Sequence, residues 1–143
     1  MYMAVPLSRY IVSKCVQDGC PISNLQLQKI LYYVQKEFLK SDQLAFSDDL
    51  EAWQFGPVVP SVYYRFCGFG AMPITFFGNN EPVIEIDPVD RAVIDRVVEE
   101  KRSLPPWDLV EETHKPGGAW DRVYQNGNGN HQTIPTELIK EFG

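Results

Sequence analysis

A mainly α fold of the α+β class, one compact helical domain with a small antiparallel β-sheet, is predicted by three features of the sequence. Apolar residues recur at helical period over several segments, each bounded by Pro, Gly or a capping residue. The β-like runs are only four or five residues long and are flanked by turn residues. The chain has 143 residues, 44% of them hydrophobic, enough to close one core, and neither a repeat nor a long linker divides it. Residues 1–143 are therefore expected to form a single domain.

The first helix is expected to follow Pro6, with Leu7, Tyr10, Ile11 and Cys15 at a spacing of three to four. It should stop at QDGCP, where Gly19 can turn left-handed and Pro21 cannot extend a helix. The second helix carries the best start signal. Ser23 and Gln26 have capping-box spacing, and Ile22 and Leu27 have the spacing of a hydrophobic staple. Leu27, Ile30, Leu31, Val34 and Phe38 then form one apolar stripe. Leu25, Tyr32 and Leu39 align with Lys29 and Lys36 on a second face. Such a helix is either central to the fold or offers one side to a partner.

Glu51 to Phe55 reads as a strand that Pro57 and Pro60 bring to an end, with Pro60 opening a helix that closes at Gly68. The runs 74–77 and 83–86, joined by GNNEP, suggest a β-hairpin. Asp87 and Pro88 start the next helix, with Val89, Val93 and Val97 facing inward. Two shorter helices are expected near 105–114 and 117–124, a polar loop at QNGNGN, and a last helix opened by Pro135.

No apolar run is long enough to span a bilayer, and MYMAVPLSRY has no charged segment ahead of an apolar one, so the expected location is the cytoplasm. Three cysteines without a C-x-x-C pair point to a reducing compartment. Net charge is −6, and residues 51–100 hold three basic against eight acidic side chains. That balance suits a basic protein partner and opposes a phosphate backbone.

Catalytic and cofactor chemistry finds little support. Glu111 and His114 form a single E-x-x-H, too few ligands for a metal site, and no metal or other cofactor is expected. Cys15 and Cys67 fall on inward faces, leaving Cys20 as the exposed thiol; an unrecognised small enzyme built around Cys20 or His114 stays open as an alternative. NGNGN lacks the strand and helix context of a nucleotide loop, and there is no G-K-[ST]. A second alternative is a DNA-binding regulator: the first two helices have helix-turn-helix spacing, with Gln26, Gln28 and Lys29 placed to reach base edges.

Protein binding is favoured over both. Trp53, Phe55, Tyr63, Tyr64, Phe66 and Phe69 are too many aromatics to bury together with their polar atoms paired. Most should still be core, with Val62 and Phe66 turned inward. Trp53, Tyr63 and Tyr64, together with Leu25, Lys29, Tyr32 and Lys36, are the candidate partner-binding residues.

Three ordered blocks, SNLQLQKILYYVQ, EAWQFGPVVPSVYYRF and LVEETHKPGGAWDRV, resemble the Panacea domain over about residues 8–142. The family's members include SocA-like antitoxins and phage-associated, GepA-like proteins. The matching positions are Leu27, Lys29, Leu31, Tyr32 and Tyr33; Gly56, Pro57, Val58, Pro60 and Tyr63; and Thr113, His114 and Trp120. The resemblance implies a non-enzymatic antitoxin, carried by a phage or mobile element, that neutralises a toxin encoded nearby by direct contact. Among the motif residues, Gly56, Pro57, Pro60, His114 and Trp120 are expected to be structural.

Overall fold

The computed structural model describes residues 1–75 and 84–143. Helix α1, Ala4–Gln17, begins ahead of Pro6 rather than after it. Pro6 is in the first turn, whose N–H groups have no partner within the helix, so its missing donor costs nothing there. The helix ends in a Schellman motif: Gly19, at φ +73, donates to Val16 O and Cys20 donates to Cys15 O.

Helix α2, Asn24–Leu39, is the axis of the molecule. Its capping box is complete, with Gln26 N donating to Ser23 Oγ at 3.2 Å and Ser23 N to Gln26 Oε1 at 2.9 Å. Ile22 and Leu27 are both buried, as the staple requires. It packs against α1 and against four helices yet to be described. Of the two roles open to a helix apolar on two sides, centrality holds for most of this one: Lys29, Tyr32 and Leu39 on its second face are as buried as Leu27 and Ile30 on the first.

The sheet differs from the expected one. Strand β1, Glu51–Trp53, turns at Gln54 and Phe55 directly into β2, Gly56–Val58, and β3, Gln132–Thr133, pairs antiparallel with the other side of β1. Pro57 does not end the ladder. It lies opposite Ala52 on the edge strand, where its lack of an N–H breaks no ladder bond. The hairpin expected over 74–86 is centred on residues outside the described ones. Its flanks, Ile74–Thr75 and Ile84–Ile86, carry no strand, and Ile74 N donates instead to Ile22 O.

Helix α3, Pro60–Phe66, starts with Pro60 at N1 and runs into a 3₁₀ turn over Cys67–Phe69. Helix α4, Pro88–Arg102, is capped by Asp87, whose carboxylate accepts from Val89 N. Its inward stripe is Ile94, Val97 and Val98; Val89 is exposed and Val93 only partly buried. The valine spacing of four misses the true stripe because Ile94 and Val98 complete an i, i+3, i+4 face against α2. Helices α5 (Pro106–Thr113), α6 (Ala119–Tyr124) and α7 (Thr136–Phe142) complete the chain, and Pro135 stands just before α7 as its cap.

The core gathers Leu7 and Ile11 of α1, Leu27, Ile30, Leu31 and Val34 of α2, Phe46, Val62, Phe66, Ile94 and Val98. Cys15 is buried there, and burial raises its thiol pKa; Cys67 is exposed, contrary to expectation, as is Cys20. Among the described residues no helix is long and apolar enough to cross a membrane, and no group of three metal-ligating side chains occurs.

Candidate functional site: an aromatic groove over a buried lysine

The residues singled out in the three sequence blocks meet at one place. Lys29 points from α2 toward the β1–β2 hairpin, fully buried, and its Nζ donates to Pro57 O at 3.1 Å. Pro57 O is free to accept because it faces away from β1. Burial pulls the Lys29 pKa down to about 7, since one carbonyl does not replace the hydration of an ammonium.

Gly56, at the hairpin corner, has φ +113, and a Cβ there would stand 2.7 Å from Thr113 Oγ1 and 3.0 Å from Lys29 Cε. Only a hydrogen fits between these groups. Thr113 Oγ1 itself donates to Val110 O.

Beyond Thr113, the His114 ring stacks on Trp120 at 3.7 Å and 8°, and Trp120 stacks in turn on Tyr124 at 4.6 Å. Trp120 Nε1 donates to Trp53 O at 2.8 Å, which ties α6 to β1. Burial lowers the His114 pKa, and the nearby Lys29 charge lowers it further; a hydrogen bond with the Phe55 backbone acts in the opposite sense. Among the described residues Nε2 of His114 is buried without a partner. Burial thus disfavours the charged imidazole, which works as a flat packing surface. Helices α2, α5 and α6 are fastened to one hairpin by these contacts.

The exposed aromatics gather around that hairpin, on β1, its turn, α3 and α5. Trp53 stacks on His131 at 4.4 Å and 6°, and meets Tyr63 edge-on at 5.0 Å; Tyr64 adds a ring 6.1 Å from Trp53. Phe55 and Trp107 form a second edge-to-face pair at 5.3 Å. Tyr64, Trp107 and Phe55 are 61%, 60% and 47% exposed, large values for rings of this size. Between the two ring clusters runs a groove of about 500 Å³, lined by Leu25, Trp53, Phe55, Tyr63, Trp107 and His131, with Lys29 beneath.

The seven residues expected on one partner surface therefore separate. Leu25, Trp53 and Tyr63 line the groove, and Tyr64 lies beside Trp53. Lys29 and Tyr32 are 0% and 2% exposed and are not surface residues, because α2 is covered on both faces. Burial pushes the Tyr32 hydroxyl up to about 12. Lys36 opens on a different cavity. Of the six hairpin-region aromatics only Phe66 is fully buried, so the expectation that most are core fails.

Sequence reasoning missed Trp107 and His131. Trp107 sits off the Leu109, Val110 and Thr113 stripe of α5, a signal that was available; His131, in the loop before β3 at φ +67, gave none. The three side chains expected to read base edges are all engaged in the fold: Gln26 in the capping box, Gln28 with Asn24 Oδ1 and Val59 N, Lys29 with Pro57 O.

The family described as Antitoxin SocA-like, Panacea domain, matches residues 27–121, a stretch that contains Lys29, Gly56, Pro57, Thr113, His114 and Trp120. The chain belongs to this family. Antitoxin SocA of Caulobacter vibrioides (strain NA1000 / CB15N) is 31% identical over 135 residues, covering 87% of this chain and 71% of the relative. No solved structure matches the chain. The family match includes the hairpin and the exposed rings Phe55, Tyr64 and Trp107, but Leu25 and His131 lie outside the matched residues.

Proposed function

We propose that this Panacea-domain protein neutralises a toxin by direct contact, with the toxin docking on the aromatic groove. The observation that carries this reading is the exposure of Phe55, Tyr64 and Trp107 around a preformed cavity in a member of an antitoxin family. Tyr and Trp anchor interfaces because they bury much area with few rotatable bonds. Leu25, Trp53, Phe55, Tyr63, Tyr64 and Trp107 form the docking surface in this proposal. Lys29, Gly56, His114 and Trp120 act from beneath by holding the hairpin in place.

The protein performs no chemical step in this reading. The toxin is encoded beside it on a phage or mobile element, and occlusion of the toxin's working surface suffices. A net charge of −6 favours a basic toxin, with attraction operating at encounter. Several acids of α4 are already engaged, Asp90 accepting from Tyr2 and Asp95 from Tyr10, so the overall field matters more than any one pair.

The adjacent reading frame is to be induced alone and together with this chain, scoring growth, toxin level and co-purification. Growth arrest relieved in a stable complex at unchanged toxin level is the expected result. Tyr64→Ala and Trp107→Ala should each weaken the complex at least tenfold, about 1.4 kcal/mol, with melting temperature unchanged. A harmless neighbour and no complex would sink the proposal; loss of the toxin itself would replace occlusion by delivery to a protease.

A further inference from the structure

A second cavity, of about 470 Å³, lies between the C-terminal halves of α2 and α4, the end of α5 and Gly143. Five cationic side chains line it, Lys36, Lys40, Arg96, Lys101 and Lys115, against three carboxylates, Glu37, Glu100 and Glu112. In a chain of net charge −6 this is a local reversal of sign.

The carboxylates are already committed. Glu37 takes Lys40 and Arg96, each at 2.9 Å; Glu100 lies 3.8 Å from Arg96; Glu112 takes Lys101 at 3.0 Å. Two ammonium groups, Lys36 and Lys115, make no ion pair with a side-chain carboxylate among the described residues. Lys115 donates to the Gly143 backbone oxygen at 2.9 Å, so an oxygen acceptor already sits on it. Lys36 lies 5.9 Å from the Tyr33 ring and feels the Glu37 carboxylate without bonding to it.

Helix dipoles explain part of this arrangement. Lys36 and Lys101 are in the last turns of α2 and α4, where a cation is favourable. Lys115, one residue past the C-cap of α5, is favoured by that helix in the same way. The dipoles do not explain why Lys36 stands beside Lys40, Lys101 and Lys115, which disfavour its charge along with burial and are opposed by the Glu37 carboxylate. Cations that outnumber the carboxylates among them carry a cost that a bound anion removes.

We propose that this cavity binds a phosphate-bearing anion, with Lys36 and Lys115 as its charged ligands. Lys36 and Lys115, neither of them in an ion pair with a side-chain carboxylate among the described residues, match the roughly two negative charges of a phosphoryl group near neutral pH, whereas a single carboxylate leaves one unmatched. Lysines suit phosphate as mobile point charges. The cavity exceeds one orthophosphate in size, so the phosphoryl group comes either as a free ion or as part of a nucleotide.

The full chain is to be titrated calorimetrically, in low-salt buffer free of phosphate, with orthophosphate, pyrophosphate and ATP, against sodium chloride at matched ionic strength. Saturable binding of at least one of the three is expected. Lys36→Met and Lys115→Met should each weaken it at least tenfold, and Lys36→Arg should restore most of it, with circular dichroism confirming that each variant is folded. Tighter binding of ATP than of pyrophosphate identifies a nucleotide as the source; equal binding identifies the inorganic ion. Absence of saturation with all three, or binding by either Met variant within twofold of the parent chain, would overturn the assignment.

Discussion

Lys29 is a lysine whose charge the fold makes costly, and its consequence is a measurable pH dependence. In the folded chain it loses its proton near pH 7, and in an unfolded chain only near 10.5. Between those values the unfolded state binds more protons, so stability rises with pH; below about 7 both states are protonated and this contribution is flat. Urea unfolding should show about 2 kcal/mol more stability at pH 8.5 than at pH 7. Lys29→Met should remove most of that gradient. An unchanged gradient in the variant would mean that the ammonium is better solvated than its single bond to Pro57 O implies. His114 adds a separate acid limb, because its lowered pKa makes the unfolded state take up a proton first as pH falls below its ordinary value of 6.5. The motif positions were visible in the sequence at this scale, but the burial of Lys29 was not. A lysine on a helix face reads as solvated unless the hairpin above it is known, and that hairpin is contributed by residues 51–58.

Elements with local signals were legible, and those that depend on remote partners were not. The capping box of α2, the Schellman turn after α1 and the Asp87–Pro88 start of α4 are each written within a few residues. By contrast β3 is two exposed residues, with no β-like pattern, that become a strand only because His131 N and Ile134 N donate to Ala52 O and Leu50 O on either side of it. Pro57 likewise looked like a stop because only the topology reveals β2 as an edge. The hairpin corner gives the sharpest test of how these elements dock. Gly56→Ala would demand a positive φ from an L side chain and drive its Cβ into Thr113. A loss of about 3 kcal/mol is expected, combining backbone strain with overpacking. Thermal unfolding should show it as a fall of roughly 10 °C. Gly19→Ala, where nothing lies within 4 Å of a Cβ, carries the φ term without the clash and should cost clearly less. Equal losses at the two glycines would show that α5 yields to the hairpin.

For the molecule as a whole, the net charge of −6 sets an expectation about encounter rather than affinity. If the toxin is basic, the association rate should fall severalfold between low and physiological salt while the dissociation rate changes little, as stopped-flow mixing would report. A flat association rate would remove long-range attraction from the account and leave the aromatic contacts to act alone. The candidate surface was half legible for a reason that also belongs to this scale: aromatic content pointed to the 51–66 stretch, but which rings face out depends on α5 and on the loop before β3 folding back over it. That return also has a consequence for how the protein is made. β1 lies between β2 and β3, yet β3 is encoded near the end of the chain. On the ribosome, the outer edge of β1 therefore stays unpaired until Gln132 and Thr133 have been added. A nascent chain halted before that point presents an open strand edge beside unburied tryptophan and tyrosine, the combination most prone to pair with a neighbour.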